Sequence, residues 1–195
     1  MRGLLHENEI IALRERLLKI GVLKTSKRRV LVDYSTFLPE QGVAERTIDI
    51  RIRNTNGKSE IIIKTGKWGG ADARQEHIVT TDTSFDELAN VMCLLGYKKG
   101  VLCVRNSEIF QVGEIEFALV EVPSHSYYFE AEIEVTDSTI VAGKRALLIN
   151  FLTELSLEVF TDQQFYDYIE RLNTEANTVY QADLTEHFFK AKFNI

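Results

Sequence analysis

The chain has 195 residues, a length for one compact domain with added helices, and its 45% hydrophobic content is enough for a core. A formal net charge of −6 and a pI near 5.3 exclude a generally basic surface, and with it non-specific nucleic-acid binding, but not a local cationic cleft. No apolar run reaches membrane-spanning length and residues 1–11 lack the apolar stretch of a signal peptide, so the expectation is a soluble, cytoplasmic protein with no membrane partner.

In chain order, Ile10, Leu13, Leu17 and Ile20 recur at helical spacing, and the pattern predicts a helix over 8–20 that Gly21 ends. Residues 29–38 look extended. Residues 46–53 alternate strictly, with Ile48, Ile50 and Ile52 on one side and Asp49, Arg51 and Arg53 on the other. Asn54-Thr55-Asn56-Gly57 is a turn signal that pairs this strand with 59–65 as a hairpin. A Gly-rich loop over 67–72, holding Trp68, leads to a strand over 73–80. Thr83 and Ser84 can cap a helix running to Leu95. Strands are then predicted at 98–105, 109–112, 115–122 and 127–135. Helices follow from Ser138 or Thr139 to about Leu155, from Asp162 past Leu172, and over 185–192. About eight strands with meander connections predict an α+β protein built on an antiparallel eight-stranded β-barrel, with flanking helices and a helical C-terminal extension. The expected division is 1–136 for the barrel and 137–195 for helices packed on the same domain.

Two patterns carry chemistry. Along 127–135, Glu130, Glu132 and Glu134 share a strand face opposite Phe129, Ala131 and Ile133, and same-face carboxylates stand about 6.6 Å apart. That spacing is too wide to share a proton but suits a hard cation such as Mg²⁺, directly or through water. A solvated outer face is the alternative. The second pattern is a set of cations at alternating strand positions: Arg51, Arg53, Lys64, Arg74 and Arg105, with Glu76 beside Arg74. If the isoleucines pack under helices, the arginines look toward the opposite side, which in a closed barrel is the interior. Arg forks match phosphate oxygens bidentately and Lys adds a point charge, so a multiply charged phosphate chain is the ligand that fits. A polar sheet face in water, pairing with Glu60, Glu121 and others, is the competing reading. Cys93 and Cys103 lack C-x-x-C spacing and read as buried thiols in a reducing compartment. His6, His77, His125 and His187 have no metal-ligand spacing.

These pieces, in order, resemble the CYTH superfamily, the triphosphate tunnel metalloenzymes, whose members include class IV adenylate cyclases, thiamine triphosphatases and inorganic triphosphatases. The resemblance runs from about Glu9 to Val135. "DIRIRNTNGKSEIIIKTG" resembles the family's R-x-R hairpin and gives Arg51, Arg53 and Lys64. "ARQEHIV" resembles its R-x-E strand and gives Arg74 and Glu76. "VLCVRNSEIFQ" resembles K-x-R and gives Arg105, with Cys103 in place of Lys. "FALVEV" gives Glu121 where Asp is usual, and "YFEAEIEV" gives Glu130 and Glu132. The family opens with E-x-E-x-K on a strand; here the nearest match is Glu7-Asn8-Glu9 with Ile11 where Lys belongs, and neither glutamate is assigned to the site.

The resemblance implies a metal-dependent phosphohydrolase acting on a triphosphate-containing small molecule: inorganic triphosphate, thiamine triphosphate or a nucleoside triphosphate. Arg51, Arg53, Lys64, Arg74 and Arg105 would cradle the triphosphate, and Glu130 and Glu132, with Glu121, would bind Mg²⁺ or Mn²⁺. Glu76 would pair with a substrate-binding Arg or position water. The alternatives are an adenylate cyclase-type lyase and a phosphate-ligand-binding barrel without turnover. The aromatic C-terminal helix leaves packing on the barrel or a homodimer contact both open.

Overall fold

The computed structural model describes residues 1–38, 46–66, 74–135, 138–185 and 187–195. The predicted Gly-rich loop with Trp68 lies outside the described residues, as does the start of the strand predicted over 73–80. The protein is α+β. Nine antiparallel strands pair in the order β1-β8-β7-β6-β2-β3-β4-β5, with β9 also on β6. They are β1 (Arg2–Leu5), β2 (Val22–Asp33), β3 (Ile48–Thr55), β4 (Lys58–Thr65), β5 (Gln75–Thr81), β6 (Lys99–Val112), β7 (Ile115–Val122), β8 (Ser126–Glu132) and β9 (Thr178–Gln181). The helices are α1 (Ile10–Ile20), α2 (Phe85–Leu94), α3 (Val141–Glu154), α4 (Asp162–Glu175) and α5 (Phe188–Phe193).

The expected α+β class and antiparallel sheet are present, and the sheet is not closed into a barrel. On one end strand the outer edge is already used: the Arg2 carbonyl accepts a hydrogen bond from Phe160 N at 2.8 Å, while β8 takes the inner edge. β5, at the other end, is exposed along nearly its whole length. The strands predicted at 98–105 and 109–112 are one 14-residue strand, because inside–outside alternation continues through Asn106 and Ser107. Along β6, β9 pairs with Lys99–Leu102 and β7 with Asn106–Val112.

The chain forms two compact units, Met1–Lys27 with Arg105–Phe165, and Arg28–Val104 with Tyr166–Ile195. In the first, one sheet face packs Leu5, Phe110, Phe117, Leu119 and Phe129 against Leu13 and Leu17 of α1 and Phe151 and Leu152 of α3. In the second, Val30, Val32, Ile50 and Ile52 pack against Phe85, Leu88 and Met92 of α2 and Phe189 of α5. The 3.6-residue period of the helices and the two-residue period of the strands meet in both cores, as the patterning requires. Ser84 caps α2, accepting from Glu87 N at 3.2 Å. At α4 the cap is Thr161, not Asp162: Thr161 Oγ1 accepts from Gln164 N and Gln164 Oε1 accepts from Thr161 N, a reciprocal capping box.

The aromatic C-terminal helix is an intramolecular element. Phe189 is fully buried and meets Phe85 edge-on at 4.6 Å. Asp86 of α2 supplies what the short α5 lacks: its two carboxylate oxygens accept from Phe189 N at 2.8 Å and Lys190 N at 3.0 Å. These are amide groups at a helix N-terminus with no partner inside their own helix. Asp86→Ala should therefore lower stability by about 1–3 kcal/mol in urea denaturation, the cost of leaving buried donors unpaired.

Candidate functional site

Strand register decides which charged side chains share a face. Asp33 is opposite Arg51, Leu31 opposite Arg53 and Arg29 opposite Thr55 on β2 and β3. Asp49 is opposite Lys64 and Arg53 opposite Glu60 on β3 and β4, and Lys64 is opposite Glu76 on β5. Since directly paired residues point to the same side, Arg29, Asp33, Asp49, Arg51, Arg53, Glu60, Lys64 and Glu76 share one face. The other face carries Val30, Val32, Ile50 and Ile52, which α2 and α5 cover. The expected separation of isoleucines from arginines is present in this unit.

At the centre is Asp49, with no exposed side-chain surface. Arg51 grips it with two N–H groups, Nε to Oδ1 at 2.7 Å and Nη2 to Oδ2. Arg74 Nη1 donates to Oδ2 at 3.1 Å and Arg46 Nη1 stands 3.9 Å from Oδ1. Burial by itself would raise the Asp49 carboxyl; Arg51, Arg46 and Arg74 more than reverse this and hold it at about 2. Around it, Arg46 donates to Asp33 Oδ2 and Thr36 Oγ1, both at 2.8 Å. Asp33 Oδ1 accepts from Ser35 N, and Ser35 Oγ accepts from Ile50 N at 2.6 Å. The turn at Ser35–Phe37 is thereby tied to β3. Burial lowers the Arg51 guanidinium, but Asp49 and Asp33 outweigh it and raise it overall.

A second group lies toward the β3–β4 turn. Arg53 is bonded to Glu60, Nε to Oε2 at 2.8 Å, while burial and then neighbouring Arg29 lower its guanidinium. Nε of Arg29 is buried with no hydrogen-bond partner among the described residues. Lys64 and Glu76 form an ion pair at 3.0 Å. Within the second unit, the expected cations Arg51, Arg53, Lys64 and Arg74 come together with Arg29, Arg46, Asp33 and Asp49. Asp49 was visible as the polar partner of Arg51 in the alternation. Arg29 and Arg46 carried no separate signal: Arg29 joins the face through strand register, and Arg46, which precedes β3, through its bonds to Asp33 and Thr36.

The other expected residues lie in the first unit. Arg105 is buried and, by alternation from Asn106, points to the side opposite the aromatic core. Glu130 and Glu132 point to that same side, but Arg105 is four rungs from Glu130 along the paired strands, roughly 13 Å. Glu121 is opposite Tyr127 and Asn106 and so points to the core side, away from Glu130 and Glu132; it accepts from Asn106 Nδ2 at 2.9 Å. Glu130 is bonded to Arg2 of β1, a strand too short to show in the sequence pattern, with Nε to Oε1 at 2.8 Å; Arg2 Nη2 is 3.8 Å from Glu132. The three expected carboxylates therefore do not converge, and no group of three or more His, Cys, Asp or Glu side chains among the described residues could hold a metal ion. These residues do not fit Mg²⁺ or Mn²⁺. Cys93 and Cys103 are buried and free.

No protein-family model and no curated protein sequence matches the chain. Solved structures do. A protein of Pyrococcus horikoshii OT3 aligns with TM-score 0.70 at 18% identity, over 87% of this chain and 96% of that one. A second protein of the same organism aligns at 0.64 and 16%, over 82% and 92%. A proposed adenylate cyclase of Vibrio parahaemolyticus aligns at 0.59 and 14%, over 81% and 87%. The chain shares their fold.

The buried Asp49 cluster makes a clear pH prediction. The carboxyl sits below its ordinary value of 3.8, so its stabilising contribution is present above that pH and is lost as pH falls toward about 2. Asp49→Asn leaves buried guanidiniums without a countercharge and should cost about 3–5 kcal/mol at pH 7. Urea denaturation should show the difference between the two proteins shrinking between pH 4 and pH 2.

Proposed function

We propose that this chain belongs to the CYTH type and binds a triphosphate-containing small molecule on the charged face of β2 to β5. The observation that carries this reading is the shared face of Arg51, Arg53 and Lys64, with Arg74 bonded to Asp49 on it. Among the described residues, six cations, Arg29, Arg46, Arg51, Arg53, Lys64 and Arg74, meet four carboxylates, Asp33, Asp49, Glu60 and Glu76. Among these described groups positive charge exceeds negative, and on partly buried groups screening by water is weak. A phosphate chain supplies the missing negative charge and offers oxygens that guanidinium forks match. Arg53 and Lys64, partly exposed at 16% and 23%, are the groups placed to exchange their carboxylates for phosphate oxygens. Arg46, almost fully buried, instead keeps Asp33 and Asp49 in position. The likeness in fold to a proposed adenylate cyclase supports the same ligand class.

A second reading is the phosphohydrolase implied by the motifs. It is favoured by Glu76, a carboxylate one-third exposed on the same face, which its bond to Lys64 holds where it can orient a water. In that reading Lys64 stabilises charge developing on the transferred phosphoryl group.

Calorimetry at low salt tests both. Tripolyphosphate should bind wild type, and Arg53→Ala and Lys64→Ala should each weaken it about tenfold or more, the loss of a charge-assisted hydrogen bond. Absence of binding, or unchanged affinity in both variants, contradicts the proposal. Release of phosphate from tripolyphosphate, thiamine triphosphate or ATP with Mg²⁺ or Mn²⁺, abolished by Glu76→Gln, would establish turnover.

A further inference from the structure

We propose that the Glu130–Glu132 pair is the receptor of an internal cation, Arg2, and not a divalent-metal site, so that polyphosphate is taken up without a metal held by this pair; the last clause rests on the ligand class proposed above. On β8 the two carboxylates are same-face neighbours, the spacing that in the sequence pointed to a hard cation. The register of β1 puts Arg2 directly opposite Glu130. Its Nε donates to Glu130 at 2.8 Å and its Nη2 reaches within 3.8 Å of Glu132. One guanidinium thus spans the interval that a metal ion would bridge.

Three features keep it there. The Arg2 backbone is held on both sides, by β8 and by the hydrogen bond from Phe160 N to its carbonyl. The ring of Phe165 lies against the guanidinium, 5.4 Å from its carbon, which adds a cation–π contact. The Arg2 and Glu130 side chains are each only a quarter exposed, so their attraction is little screened. Burial lowers the Arg2 guanidinium, and Glu130 and Glu132 more than restore it, so the charge persists at any pH the protein survives. The remaining carboxylate in register is Glu116, opposite Glu132; it is exposed and forms no three-carboxylate group with the pair. A divalent ion entering here must either expel the guanidinium from a made hydrogen bond or share a half-buried site with a like charge.

The test is a Mn²⁺ titration of the ligand-free protein, read as the electron paramagnetic resonance signal of free Mn²⁺. Wild type should leave the signal undiminished, whereas Arg2→Ala should take up Mn²⁺, and Arg2→Ala with Glu132→Gln should lose that uptake. Arg2→Gln replaces Arg2→Ala if the latter fails to fold. Uptake of one equivalent by wild type that Glu130→Gln or Glu132→Gln abolishes overturns the proposal, as does a folded Arg2 variant that takes up none. In a second arm, tripolyphosphate should bind wild type in buffer containing EDTA. Binding that appears only when Mn²⁺ is supplied also overturns it. No binding with or without metal defeats the ligand class instead and leaves the Mn²⁺ result to decide the role of Arg2.

Discussion

The charged face of β2 to β5 depends on one buried carboxylate. Asp49 has no exposed side-chain surface, yet it is ionised, because Arg51, Arg74 and Arg46 approach it from three directions. A carboxylate in that position without partners would cost several kcal/mol and would take up a proton instead. Three guanidiniums gathered without it would repel one another. Each side makes the other tolerable, and the consequence is positional: Arg51 and Arg74 are held in fixed places on the sheet face. Asp33 and Ser35 extend the arrangement into the backbone, through Arg46 on one side and the amide of Ile50 on the other. Fixed cations are what recognition of a phosphate chain requires, since little side-chain entropy remains to be lost on binding.

The two units handle charge differently. Among the described residues of the second unit's charged face, cations outnumber carboxylates, and Nε of Arg29 near the β3–β4 turn is buried without a hydrogen-bond partner. In the first unit, the acidic strand β8 meets a cation from within the same chain, Arg2, which faces both Glu130 and Glu132. The same kind of residue, an arginine facing glutamate across an antiparallel pair, recurs in both units, as Arg2 with Glu130 and Arg53 with Glu60. The difference lies in the number of groups on each face and not in their chemical type.

Much of this arrangement could be read from the sequence where periodicity is strict. Ile48 to Arg53 alternates without a break, so the division of isoleucines and arginines between two faces followed directly, and Asn54 to Gly57 marked the hairpin that brings Lys64 alongside. Ser84 as a cap and the buried stripe of α2 were equally visible. What could not be read depends on register or on very short elements. The four-residue β1 and β9 carry too few positions to show a period. Without β1 there was no way to see that Arg2 answers Glu130. Asn106 and Ser107 suggested a break in β6, yet both fit within its ladder, and the resulting continuous register sends Glu121 to the core side. Closure of the barrel was inferred from strand count alone, and strand count says nothing about what occupies an edge. Phe160 occupies that of β1.

The guanidiniums of β3 and its neighbours are the groups proposed to meet a polyphosphate. The most direct measurement follows the arginine side-chain Nε–H resonances by proton–nitrogen NMR while tripolyphosphate is added. The resonances of Arg29, Arg51, Arg53 and Arg74 should move together and saturate at one equivalent, with Arg2 unmoved. Shifts confined to exposed arginines such as Arg16 and Arg171, or no saturable shift on this face, would contradict the proposal.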